Sequence, residues 1–251
     1  MKKLLFTLAI GLATLTSCES DLVSAPPSDS SSNDGILPTK VDIVYSDGET
    51  ETITYTYDGM TLLKEESTDG YYTDYVYEDS KLTQINWYNA PNPAILESYT
   101  YDAQGRVATV STNLVDFGVY NYNLSYNSDN SVITSIHVEN PTSLPDVTIL
   151  SNGNMIGDND GDNYVTTFTH DTKNAPFKNI NNRELLLTID SENCYSYLFN
   201  LNNILTDITQ HLTDPSNITN TYTYTDFDYP RIITEDYDGD ISTYTYTYNN
   251  D

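Results

Sequence analysis

The stretch SYTYDAQGRVATV, residues 98–110, is one unit of a repeat, and a repeat this short restricts the chain to architectures that stack one small structural unit many times. Tyr99 and Tyr101 are two apart, so in a strand they share a face, with Thr100 on the other. Asp102 opens DAQG: Asp suits the first position of a type I turn, and Gly105 suits the left-handed residue of a hairpin bulge. RVATV returns the chain, with Val107 and Val110 available for packing. The unit is therefore a hairpin with one tyrosine-bearing arm and one aliphatic arm. It recurs as YTYDGMTLL (55–63), YVYEDSKLTQI (75–85) and LSYNSDNSVITSI (124–136), then as FTHDTKNAPFKNI (168–180), YLFNLNNILTDI (197–208) and YTYTDFDYPRII (222–233). The polar turn residues are Asp58, Glu78, Asp102, Asn127, Asp171, Asn200 and Asp226. The long gap after Asn127 leaves room for a degenerate copy near VTILSNGNMI (147–156). Three residues after the turn residue stand Gly105, Asn130, Asn174 and Asn203, the types that best tolerate positive φ.

Tyr accounts for 23 of 251 residues, and Tyr and Thr both favour strands. No segment carries a long helical stripe. The expected fold is all-β: an antiparallel meander of repeated hairpins forming one long curved or rolled sheet of about fifteen strands. Residues 99–110 carry nearly the whole of a motif written YxYDxxGRLxxI, with Tyr99, Tyr101, Asp102, Gly105, Arg106 and Val110 in place. In this the chain resembles the YD-repeat (RHS-like) family, and most of all its small Bacteroidota lipoproteins. That resemblance implies a spiralling antiparallel sheet and no particular chemistry. Seven or eight units are too few for the shell of the large family members. The closing strand ISTYTYTYNND puts Tyr244, Tyr246 and Tyr248 on one face. Its edge needs blunting, by the terminal NND or by charge. Thr on the alternate face is too polar for lipid, which argues against a transmembrane barrel.

The first residues, MKKLLFTLAIGLATLTS, pair a basic head with an apolar run too short to span a bilayer, as in a signal peptide. LTSC then resembles a bacterial lipobox with Cys18 as the acylated residue. The expected organisation is a lipoprotein signal peptide over 1–17, acylated Cys18 and a Ser/Pro/Asp-rich tether over 18–40, and a single β domain over 41–251. Glu19 and Asp21 resemble a surface-export signal of Bacteroidota lipoproteins. The expected location is thus the outer membrane, facing the cell exterior, with the membrane a partner through the N-terminal lipid.

A formal net charge of −27 excludes a phosphate-binding surface, and nucleic acid with it. Cations are the partner class it favours. Apart from Cys18 the only cysteine is Cys194, read as a small buried residue, so no internal disulfide forms. His137, His170 and His211 lack metal-ligand spacing, and His170 stands where other copies carry Tyr. HExxH, GxSxG and phosphate-loop patterns are absent from the sequence. GDNDGDNYV (157–165) alternates Asp158, Asp160 and Asp162 like the first ligands of a calcium loop. Gly161 precedes the third acid instead of following it, and solvated hairpin turns are the simpler account. Trp87 and Tyr88, outside the repeat register and beside a Pro-rich loop, are the candidate ligand contacts. The persistent register of the tyrosines favours packing on an inner face over an exposed platform. These readings together give a lipid-anchored, non-catalytic β protein with a binding or scaffolding role toward a glycan or a cell-surface protein and with no cofactor beyond calcium. The alternatives are a glycan-binding accessory protein of a polysaccharide-uptake system and a glycoside hydrolase.

Overall fold

The computed structural model describes residues 35–89, 92–115, 117–159, 164–188, 196–210 and 215–251. The first eight strands are β1 (Pro38–Val44), β2 (Thr50–Asp58), β3 (Thr61–Ser67), β4 (Tyr71–Glu78), β5 (Lys81–Asn89), β6 (Asn92–Tyr101), β7 (Val107–Leu114) and β8 (Gly118–Tyr126). The rest are β9 (Val132–His137), β10 (Asp146–Ser151), β11 (Asn154–Asn159), β12 (Val165–His170), β13 (Ile204–Gln210), β14 (Ser216–Tyr224), β15 (Pro230–Tyr237) and β16 (Asp240–Tyr248). Each strand pairs with the next in chain order, and β1 pairs antiparallel with β16. The all-β sheet is therefore a closed sixteen-strand barrel and not the open rolled sheet expected from the repeat. Closure replaces any blunting of the last edge: Tyr244 and Tyr246 lie opposite Ile43 and Val41, and both edges disappear together.

The hairpin turns of the repeat all lie at one end of the barrel, and a reciprocal pair of hydrogen bonds defines five of them. The Asp102 N–H donates to the Arg106 carbonyl at 2.9 Å, and the Arg106 N–H donates back to Asp102 Oδ1 at 2.9 Å. Asn127 exchanges the same bonds with Val132, and Thr225 with Tyr229, so Thr225 opens that turn and Asp226 does not. Asp171 exchanges them with Asn203, at 3.0 and 3.1 Å. The fifth and sixth sequence copies are thus one hairpin, β12–β13, whose turn has been opened by a long insertion. This explains why Gly105 and Asn130 take positive φ (81° and 59°), whereas Asn174 and Asn203 do not. The gap after Asn127 does hold a hairpin, β10–β11, turning through Asn152 and Gly153. Asn249 repeats the exchange with Leu37, at 3.0 and 3.1 Å. The eighth unit is therefore β16 followed by β1, assembled from segments more than 200 residues apart.

The tyrosine just before the turn residue reaches inward to the preceding unit. Tyr57, Tyr126 and Tyr248 donate to the carbonyls of Pro38, Val107 and Pro230 at 2.8, 2.8 and 2.9 Å, and Tyr101 donates to Leu82. This belt satisfies carbonyls at strand starts and fixes the register between neighbouring hairpins. Because side chains alternate, the opposite face of the same strands carries Thr52, Thr54 and Thr56, Thr219, Thr221 and Thr223, and Thr243, Thr245 and Thr247.

A sixteen-strand barrel is too wide for its own side chains to fill. The insertion between Asp171 and Asn203 supplies the missing volume at the turn end. It carries helix α1 (Arg183–Thr188) and a 3-10 turn (Ser196–Phe199). Phe177, Phe199, Leu186 and Leu187 are fully buried, and Phe177 meets Tyr55 edge-on at 5.0 Å. The buried Arg183 guanidinium donates to the Gly153 and Phe199 carbonyls at 3.0 and 2.7 Å. The Asn181 N–H donates to Met60, and Asn179 Nδ2 to Ile36, which ties the plug to turns on several strands.

Candidate functional site

Above the plug the lumen stays open as a cavity of about 840 Å³. Its floor is Ala175, Pro176, Leu198 and Asn202 of the insertion, and its wall runs through β14–β16 and β1–β5. Its rim carries Tyr45, Asp47 and Glu49 from the β1–β2 turn and Asp69 from the β3–β4 turn. These turns lie at the end opposite the tyrosine belt.

Trp87 stands on the wall, opposite Thr73 in register, and stacks on Tyr71 with ring centres 5.3 Å apart and planes at 17°. Three carboxylates face the same space. Glu51 accepts from the Tyr45 and Ser67 hydroxyls. Glu65 accepts from the Tyr75 hydroxyl at 2.8 Å, and its burial inside the wall pushes its pKa up to about 7. Glu235 accepts from the Tyr244 hydroxyl at 3.0 Å and lies opposite Asn220. On neighbouring β13, burial and then the charge of Glu235 push Asp207 up to about 6. Three buried acceptor atoms in this sector, Asn203 Oδ1, Asn220 Oδ1 and Asp207 Oδ1, lack a hydrogen-bond donor. No Lys, Arg or His occurs among the described residues that line the cavity.

Trp87 and Tyr88 therefore sit within β5, on opposite faces of the wall, and not together on a loop. Trp87 enters the cavity, whereas Tyr88 faces outward and stacks on Tyr72 at 4.3 Å. Asp158 lies on β11, where its Oδ1 accepts from Thr148 Oγ1 at 3.1 Å. Asp160, Asp162, Cys18, Cys194 and His211 lie outside the described residues. Among the described residues no three His, Cys, Asp or Glu side chains are grouped to hold a metal. His170 lies in the wall in its tyrosine's place, and burial lowers its pKa. The carboxylates Glu51, Glu65 and Glu235 were not singled out in the sequence. Their signal was phase: Glu51, Ile53 and Tyr55 alternate on one face, as do Ile233 and Glu235, so these acids share the tyrosine face and not the threonine face.

No family model and no curated protein matches the chain. Solved structures do. A porin-like protein from Bacteroides uniformis ATCC 8492 aligns at 17% identity with a TM-score of 0.52, over 84% of this chain and 98% of that one. A porin-like protein from Bacteroides vulgatus ATCC 8482 aligns at 14% identity with a TM-score of 0.45, over 85% and 98%. The feature shared with the first is the barrel architecture. Neither match carries a YD-repeat description.

Proposed function

We propose that this barrel is a non-catalytic binding protein, held at the outer membrane by a lipid on Cys18 and facing the cell exterior, which takes a small ligand into its lumen. One observation carries the reading: a cavity floored by the insertion, open at the opposite end, and lined by a stacked aromatic pair among carboxylates. Such a mixture of aromatic faces and convergent polar groups is the usual makeup of a ligand pocket. The threonine-bearing outer faces of β2, β14 and β16 support anchoring through a lipid over immersion of the barrel, because a membrane-spanning wall needs an apolar band about 25 Å tall around its whole circumference. A glycan is the second reading for the occupant, favoured by the Trp87–Tyr71 stack, whose flat apolar faces match those of sugar rings.

Two experiments test the proposal. Titrating the purified protein with a panel of mono- and oligosaccharides and small cations, with and without calcium, should give a saturable change in tryptophan fluorescence that Trp87→Phe and Tyr71→Ala alter. A panel-wide lack of response would remove the lumenal site. Metabolic labelling with a palmitate analogue should mark the protein and fail to mark Cys18→Ala; equal labelling of both would remove the anchor.

A further inference from the structure

We infer that the lumenal cavity selects a ligand bearing an organic ammonium group over neutral and anionic ligands. This rests on the lumenal-binding reading above and concerns only the class of occupant.

An ionised carboxylate offers about four lone-pair sites and donates nothing. Glu51 and Glu235 supply two such groups to one cavity, Glu65 adds a third only once the pH passes about 7, and the hydroxyls that reach them fill only part of that capacity. Some of the wall's donors are already committed: the hydroxyls of Tyr75 and Tyr244 donate to these carboxylates, and that of Tyr222 donates to the Ile204 carbonyl. Asn203 makes the imbalance sharper. It lines the cavity, is 3% exposed, and donates through Nδ2 to Asp171 Oδ2 at 3.0 Å, which fixes its amide orientation and leaves Oδ1 without a donor.

A neutral sugar brings donors but no positive charge to set against the carboxylates. An anion would meet carboxylates with no basic side chain among the described lining residues to offset them. An ammonium group brings three donors and a positive charge, and aromatic faces attract it further. The Trp87–Tyr71 stack suits the apolar portion attached to that nitrogen, whether a sugar ring or an alkyl chain.

The chain contains one tryptophan, so its fluorescence reports on this cavity alone. The full-length protein should be titrated at physiological salt, where interactions with surface charge are screened, with a glucosamine trimer, its N-acetylated counterpart and spermidine. The two amines should give saturable fluorescence changes, with the N-acetylated trimer at least tenfold weaker. Glu235→Gln keeps an acceptor for Tyr244 and should weaken amine binding about tenfold, the effect of losing about 1.4 kcal/mol, while thermal unfolding stays cooperative. Glu51→Gln serves as the second variant should Glu235→Gln not fold. Equal or tighter binding of the N-acetylated trimer would overturn the ammonium inference while leaving lumenal binding intact. Non-saturable amine binding, binding insensitive to both variants, or silence from all three probes would overturn it too.

Discussion

The two ends of the barrel use the same kinds of residue for opposite purposes. At the turn end, tyrosine hydroxyls donate to backbone carbonyls and the insertion packs Phe177 and Phe199 into the lumen. At the mouth, tyrosine hydroxyls donate to carboxylates and nothing described fills the space. A phenol that satisfies a carbonyl completes the structure there. A phenol that satisfies a carboxylate leaves lone pairs on offer. Stability therefore belongs to the first end and recognition to the second.

The largest test of that contrast is Phe177→Ala, which should cost about 3–5 kcal/mol by opening a cavity inside the plug. It should lower the denaturant midpoint sharply. Trp87→Ala should cost far less, since the half-exposed ring loses one stacking partner, worth about 0.5–1.5 kcal/mol. Equal losses from the two variants would erase the distinction between the ends.

A pH series comes next. Glu65 keeps its proton in the folded barrel up to about pH 7, whereas an unfolded glutamate releases it near about 4.3. Between those values the folded state binds more protons, so stability falls as pH rises. The contribution of this residue is fully present below about pH 4 and gone above about pH 7, and Asp207, raised to about 6, acts in the same direction. Comparing urea midpoints of the wild type and Glu65→Gln across pH 4–8 should show a shallower decline in the variant. Parallel curves would mean that Glu65 titrates as it does in water.

Smaller effects sharpen the picture at the turn end. Tyr126→Phe removes one belt hydrogen bond and should cost about 1 kcal/mol. Asn249→Ala removes the side-chain half of the closing exchange, with a similar cost of about 1 kcal/mol. Thr221→Val on the outer wall should stay within about 0.5 kcal/mol. A large loss there would mean that the outer face has a partner.

The same division explains what could be read in the sequence. The hairpin at 98–110 was legible because Tyr99, Tyr101, Asp102 and Gly105 serve local geometry, and local geometry repeats. Closure was not legible, because Asn249 meets Leu37 across the whole chain and neither residue carries a mark of its partner. Asp171 and Asn203 looked like members of two units because a turn's two halves stay recognisable when an insertion parts them. The cavity was the least legible. Trp87 stands out as the one tryptophan, but Tyr71, Glu51 and Glu235, which line the same cavity, lie on three different hairpins and are used once each, so no recurrence draws attention to them.

Building the eighth unit from the two far ends of the barrel has a kinetic consequence. Seven hairpins can form as soon as their own residues are available, six of them closing short loops and β12–β13 closing the insertion. The last pairing joins residues more than 200 positions apart and carries the largest loop-closure entropy. Until β16 docks on β1, the growing sheet presents two unpaired edges, the kind of surface on which chains associate. The interval before closure is when the chain is most exposed to aggregation, and the Asn249–Leu37 exchange marks its end.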